Sequence, residues 1–313
     1  NTKERARQKV KLPEILIITP ESLHVILTQK EYPAHFKKLH TVVIDEWHEL
    51  LGSKRGVQVE LALSRLRGLA AEEGRTIRTW AISATIGNLE QAMEVALGAG
   101  ASAGKIIRSR IKKEVEIESI IPDKIENFPW AGHLGTRLAA RLIPIIEQSN
   151  TTLVFTNTRG QSEIWYHALL DTYPELSGLI ALHHGSIDAE VRTWIENALH
   201  EGALKVVVCT SSLDLGVDFR PVDTVVQIGS PKGVARFLQR AGRSGHRPGA
   251  VSKIYFLPTH SLELVEGAAL KRAALEELIE QRDPVLNAYD VLIQYVCTLS
   301  VAMAFTPNRF LRR

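Results

Sequence analysis

The residues best suited to chemistry lie in 39–50, Leu-His-Thr-Val-Val-Ile-Asp-Glu-Trp-His-Glu-Leu. Val42, Val43 and Ile44 form a β-branched run, which predicts a buried parallel strand. The strand ends on Asp45 and Glu46, and His48 follows. Open α/β sheets bind their ligands outside the carboxyl ends of the strands. Past the strand end, strict alternation of side chains lapses, so both carboxylates can face one site. Hydrolysis of a nucleoside triphosphate uses such a pair. One acid holds Mg2+, directly or through water, and the other orients and deprotonates the attacking water. Asp45 and Glu46 are the candidates for both tasks, against the simpler reading of two solvated acids at a strand end. His48 either relays the state of the triphosphate to a neighbouring element or packs as a strand-end histidine.

Other elements must position this pair. Glu14–Thr19 is expected to be a strand, followed by a helix from Pro20 to about Thr28 with proline in its first turn. Helical spacing recurs at 56–69 and 87–97, and strands are expected at 76–83, 105–107 and 115–121. The alternation pauses at 122–129, where a domain boundary is expected. A second βα series follows, with helices at 134–148, 161–171, 189–199 and 234–241. Its strands are expected at 152–155, 179–182, 205–209, 224–228 and 251–257. Residues 261–281 and 290–302 read as helices. Strands alternating with helices predict parallel, doubly wound sheets, and the expected domains are 1–121, 122–261 and 262–313.

Several further strand ends could handle phosphate or nucleic acid. Thr19, Pro20, Glu21 and Ser22 open a helix, whose free amides hold a phosphate or merely a cap. Ser83 and Thr85 offer two hydroxyls that could link the carboxylate strand to a facing domain. Thr156, Asn157 and Arg159 suit a sugar–phosphate backbone or a capped helix start. His184 and Gly185 follow another strand, and no further ligands stand at metal spacing there. Thr210, Ser211 and Ser212 could hold strand phosphates, while Gly216 and Asp218 could approach a ribose. Gln239-Arg-Ala-Gly-Arg-Ser-Gly-His-Arg247 carries the strongest signal. Arg240 and Arg243, three apart on a helical turn, share a face, and two guanidiniums there could reach a γ-phosphate as arginine fingers do.

The 313 residues carry 38 Lys and Arg against 35 Asp and Glu, a net charge of +3 that is compatible with nucleic acid. Basic residues cluster at 3–11, 108–113 and 236–247. No apolar run reaches about 18 residues, so no membrane partner is expected. Cys209 and Cys297 sit in apolar runs and read as reduced buried thiols, which with the lack of a secretory signal suggests a cytoplasmic protein.

With these stretches in order, the chain resembles superfamily 2 helicases. Thr19–Ser22, Asp45–His48, Ser83–Thr85, Phe155–Arg159, Cys209–Asp218 and Gln239–His246 look like motifs Ib, II, III, IV, V and VI. Gly52-Ser-Lys-Arg-Gly56 and Gly229-Ser-Pro-Lys232 resemble the large helicase-related (Lhr) branch, and 290–300 looks like its bacterial ligase-associated DEXH-box members. The resemblance implies two RecA-like domains and the start of a winged-helix domain from about 262. It implies ATP and Mg2+ as cofactors, with Gly216, Asp218 and Gln239 near the nucleotide. It implies 3′-to-5′ translocation on single-stranded DNA and unwinding of duplex DNA or an RNA–DNA hybrid, in DNA repair, with a DNA ligase or nuclease as a possible partner. The phosphate-cradling Gly-x-x-x-x-Gly-Lys-[Ser/Thr] is absent. Gly100–Lys105 imitates it out of place and is followed by Ile106. The loop is expected upstream of Asn1, so the chain by itself should hydrolyse ATP poorly. His246 stands where motif VI often has Arg, and Arg247 could substitute. A second reading is a nucleic-acid-binding scaffold whose ATPase has been lost.

Overall fold

The structure, a computed structural model, describes residues 7, 12–84, 86–109, 114–121, 135–214, 222–245 and 251–302. It divides into two compact units, 1–108 with 281–313, and 109–280. The expected boundary at 122–129 lies outside the described residues.

In the first unit, β1 (Thr41–Ile44) and β2 (Arg78–Ala81) pair in parallel with Thr41 opposite Arg78. Helix α1 (Pro20–Leu27) and the short α2 (Tyr32–His35) precede them. The one-turn α3 (Trp47–Leu50) follows the carboxylates, and α4 (Lys54–Glu72) makes the crossover. Helix α5 (Leu89–Leu97) comes after β2. Ile26, Leu27, Tyr32, Ala62 and Leu66 share a core with Tyr295, Leu299 and Ala302 of a late helix described below. Ile44, Trp47, Leu51, Leu63, Ala92 and Ala96 form a second core under the carboxylate loop.

Two expected strands do not form here. Residues 14–19 run without a ladder partner among the described residues, and Ile15 and Ile17 are 83% and 95% exposed. Residues 105–107 are likewise outside any ladder. A strand is stable only when its backbone groups find a neighbour, and hydrophobic pattern alone does not supply one. Gly98–Ala103 folds as a 3-10 turn at the end of α5. A Cβ at Gly104 would meet Leu97 Cδ1 at 2.6 Å. Gly104 thus packs closely on α5, and the segment is a 3-10 turn and not a strand-to-helix phosphate loop.

The second unit is built on a six-stranded parallel sheet of order β3-β8-β7-β4-β6-β5. Its strands are β3 (Val115–Ser119), β4 (Thr152–Phe155), β5 (Ile180–His183), β6 (Val206–Cys209), β7 (Thr224–Ile228) and β8 (Ser252–Leu257). Every residue of β4, β6 and β7 is buried, as expected of strands covered on both faces. Alternate residues serve opposite layers. Val154, Val206, Val208 and Val226 meet α6 (Ala139–Gln148) and α7 (Arg159–Thr172) through Leu142, Ile146, Trp165 and Leu169. Leu153, Phe155, Val207 and Val225 meet α8 (Ala189–Glu201), α9 (Val234–Ala241) and α10 (Ser261–Leu275) through Ile195, Leu199, Phe237 and Leu270. Strand β3 pairs with β8, so residues 115–119 belong to this sheet and not to the first unit's.

The segment from 262 is shared between the units. Helix α10 lies in the second core, whereas α11 (Tyr289–Ala302) packs on α1 and α4 of the first. In the first unit the Asn88 side chain pairs with both backbone groups of Arg282, accepting from N at 2.9 Å and donating to O at 3.1 Å. No helix among the described residues is long and apolar enough to cross a membrane.

Candidate active site and nucleic-acid interface

Strand β1 delivers Asp45 exposed and Glu46 half-buried at its carboxyl end. Glu46 adopts φ 51°, a left-handed conformation unusual for a residue with a side chain. That turn redirects the chain into α3. Its amide donates to Asp45 Oδ1 at 3.0 Å, which orients the aspartate. Trp47 locks the turn from below, its indole N–H donating to Ala92 O at 2.8 Å and its amide to Ile82 O at 2.9 Å. His48 is buried, and its Nδ1 accepts from the amide of Ala84 at 3.2 Å. A fixed N–H donor on Nδ1 places the ring proton on Nε2. Glu46 Oε2 lies 3.5 Å from the same Nδ1. The loop after β2 is thereby tied to the carboxylate loop after β1. Ser83 donates its hydroxyl to Ala84 O at 2.7 Å. Thr85 lies outside the described residues.

Thr19 caps α1, accepting from the Ser22 amide at 3.3 Å, with Pro20 in the first turn. Glu21 is held by Arg55 at 2.6 and 3.4 Å, and this hydrogen bond lowers its carboxyl to a pKa of about 2. The turn is a capped helix start with its acid already paired.

In the second unit the parallel sheet gathers four loops at one edge. The chain runs from β4 to β5 and β6 on one side, then places β7 and β8 on the other. Beside β4 the strand order reverses, where open sheets bind ligands. Asn157 and Arg159 follow β4, His184 and Gly185 follow β5, and Thr210–Ser212 follow β6. The Gly229–Lys232 loop follows β7. The side chains differ in what they can offer. Thr156 is buried and turns its hydroxyl inward to Thr158 O and Cys209 O. Asn157 Nδ2 donates to Ser230 O at 2.6 Å. Arg159 is exposed, with Glu163 3.5 Å away. His184 is buried against Glu163 at 3.6 Å, and Gly185 faces open space. Ser212 Oγ donates to His183 O at 3.0 Å and lies 2.8 Å from His183 Nδ1. Burial pushes the His183 imidazole down from its ordinary pKa, opposed by Glu196 at 3.3 Å. Ser211 is exposed and Thr210 half-buried on the same turn. Gly216 and Asp218 lie outside the described residues, as does His246.

The arginine pair is not presented as its spacing suggested. Arg240 is 2% exposed. Its Nε and Nη2 donate to the two carboxylate oxygens of Asp214 at 2.7 and 3.0 Å, and Nη1 donates to Gln227 Oε1 at 2.5 Å. Its guanidinium carbon lies 4.7 Å from the Phe155 ring centroid. In this arrangement Arg240 is an internal tie between α9, β7 and the turn after β6. Arg243, half-buried, donates from Nη2 to Asp214 O, and Gln239 is half-buried on α9. Phe155 and Asp214 lie inside the stretches that resemble motifs IV and V without a role of their own there, and Gln227 lies outside any such stretch. One signal was available, since an arginine on a largely apolar helix needs a buried carboxylate.

Residues 1–92 match the DEAD/DEAH box helicase family, and residues 137–248 match the helicase conserved C-terminal domain. The chain belongs to this class of helicases, with two RecA-like α/β units. Within it the likeness is to Lhr proteins. The chain is 36% identical over 97% of its length to the ATP-dependent helicase Lhr-Core protein 2 of Thermococcus barophilus, covering 35% of that protein. It is 32% identical over 99% of its length to the Lhr helicase/uracil glycosylase of Escherichia coli, covering 23% of it. It therefore spans about a third or less of these relatives. A structure of Mycobacterium smegmatis helicase Lhr bound to ssDNA and AMP-PNP superposes with a TM-score of 0.86 at 29% identity, over 100% of this chain and 40% of that one. DUF1998 helicase MrfA bound to DNA shares the fold, with a TM-score of 0.78 at 22% identity over 97% of this chain and 43% of that one.

Proposed function

We propose that the protein is an ATP-driven nucleic-acid helicase and translocase of the Lhr type. The observation that carries this reading is the His48–Ala84 hydrogen bond, which makes one unit of the carboxylate loop and the neighbouring strand-end loop. A site that must change with each nucleotide turnover needs such a link between its acids and the rest of the sheet. Asp45 would hold Mg2+, and its exposed carboxylate fits. Mg2+ keeps several waters and takes one or two protein carboxylates alongside phosphate oxygens, so no cage of acids is required. The ion would neutralise charge developing on the transferred phosphoryl group. Glu46 orients the attacking water and accepts its proton. Arg243 would supply positive charge to a γ-phosphate. Arg159, Gly185, Thr210 and Ser211 hold the backbone of a single strand at the sheet edge.

The finer reading is 3′-to-5′ movement on single-stranded DNA, with unwinding of duplex DNA or RNA–DNA hybrids, in cytoplasmic DNA repair beside a DNA ligase or nuclease. Of this, the single strand as ligand is supported by the likeness to a helicase Lhr bound to ssDNA and AMP-PNP. The test is Glu46→Gln in the full-length protein. Binding of single-stranded DNA is expected to persist within about twofold, while kcat for ATP falls by about 10² or more. Normal hydrolysis by that variant would remove Glu46 from the reaction. No hydrolysis by the wild type, with DNA binding intact, would favour a scaffold instead.

A further inference from the structure

Helix α9 carries Arg240, and Arg243 hangs from its last turn through the Arg243 amide to Arg240 O at 2.9 Å. Its own N-cap, Gly233, has no side chain to satisfy the first amides. Glu280 supplies what is missing from the far side of α10. Its Oε1 and Oε2 accept from the Ala235 amide at 3.2 and 3.1 Å, and Oε2 accepts from the Val234 amide at 3.1 Å.

Left-handed backbone positions flank this contact on both sides. Helix α10 ends in a Schellman turn, with the Leu278 amide donating to Ala273 O at 2.9 Å and the Glu277 amide to Ala274 O at 3.4 Å. The left-handed position of that turn is Glu277, at φ 54°, where glycine is usual. On the receiving side Lys232 has φ 59° and Gly233 has φ 137°. A Cβ at Gly233 would lie 2.3 Å from Glu280 Oε1. Glu277 lies three residues before Glu280, and Lys232 and Gly233 directly precede the amides that it caps. Strain of this kind persists where the surroundings over-determine it. Glu263 and Glu266 of α10 hold the same loop from behind, through the Ser230 amide at 2.9 Å and the Ser230 hydroxyl.

We propose that Glu280 is a positioning residue for the ATPase: by capping α9 in trans it fixes where Arg243 stands. Helix α9 spans eight residues, roughly 12 Å. Asp214 fixes its carboxyl-terminal end through Arg240, and Glu280 fixes its amino-terminal end. A helix held at both ends cannot slide or tilt, and the arginine beyond it inherits that position. The inference rests on the reading of Arg243 as a transition-state residue.

The test is steady-state ATP hydrolysis by the full-length protein with saturating single-stranded DNA. Glu280→Ala is expected to lower kcat by about tenfold, with KM for ATP and DNA affinity within about twofold of wild type. Glu280→Gln, which keeps a neutral acceptor, should recover most of the loss. Gly233→Ala should mimic Glu280→Ala by displacing the carboxylate. The double variant should be no slower than either single one, because both remove the same contact. In the 313-residue chain, Glu280→Ala should speed amide exchange at residues 234–238 and leave the sheet amides unchanged. Wild-type kcat and wild-type exchange in Glu280→Ala, while Arg243→Ala is inactive, would overturn the positioning role. Wild-type hydrolysis by Arg243→Ala would instead overturn the reading of Arg243 on which it rests.

Discussion

A residue's type sets what it can do, and its neighbours set what it does. Arg240 and Arg243 are the same residue three positions apart, yet one is sealed in the core and the other is half-buried beyond the helix end. A buried guanidinium is tolerable because Asp214 meets it bidentately and Gln227 and Phe155 complete its surroundings. Breaking a buried pair by removing one partner leaves the other charge uncompensated. Arg240→Ala is accordingly expected to destabilise the second unit by about 3–5 kcal/mol. Thermal unfolding of the 313-residue chain checks this, and a loss under about 1 kcal/mol would mean that Asp214 is satisfied another way. The same logic separates the hydroxyls. Thr156 and Ser212 donate inward to backbone carbonyls, while Ser211 is exposed on the turn beside Ser212.

At the scale of elements, helix ends carry much of the organisation. Thr19 and Ser53 cap α1 and α4 by accepting amides three residues on, and Thr158 does the same for α7. Helix α9 has no such local cap, which is why Glu280 matters. Glu21, in the first turn of α1, pairs with Arg55 of α4 across the first unit. Its folded pKa of about 2 lies below the ordinary 4.5. A depressed carboxylate contributes stability that is present above the unfolded pKa and lost as pH falls through the folded one. Glu21→Gln should therefore cost under about 1 kcal/mol at pH 7, since both side chains are half in water. The difference from wild type should shrink between about pH 4.5 and 2. Denaturant unfolding across that range checks it, and a gap that widened with acid would reverse the assignment.

At the scale of the whole molecule, a net charge of +3 is too small to drive DNA binding by general attraction. On the proposed reading, affinity for a strand comes from a few placed groups at the edge of the second sheet. Counterion release then sets the salt dependence, and two to four phosphate contacts give a log–log slope of roughly −1.5 to −3 for a single strand. A salt titration of single-stranded DNA binding to the 313-residue chain should fall in that range. Arg159→Ala should flatten the slope by about one contact. A slope near zero would mean that these loops do not hold a strand.

The amino-acid sequence alone determined the parallel α/β class and most of the strands. Runs such as Val206–Cys209 and Thr224–Ile228 are apolar throughout, and only a sheet covered on both faces accepts such a run. It also determined the order of the motifs and the acids at 45 and 46, because a strand end is a local event. The tertiary structure decided what depends on residues far apart in the chain. Residues 14–19 have the strand pattern but no ladder partner among the described residues, and 115–119 have a neighbour in β8 that local pattern cannot specify. Arg240 finds Asp214 26 positions away, and Val234 finds Glu280 46 positions away. A periodic pattern records which face of an element is apolar. It carries no record of which distant carboxylate will meet a given donor, since that pairing exists only once the sheet has brought the loops to one edge.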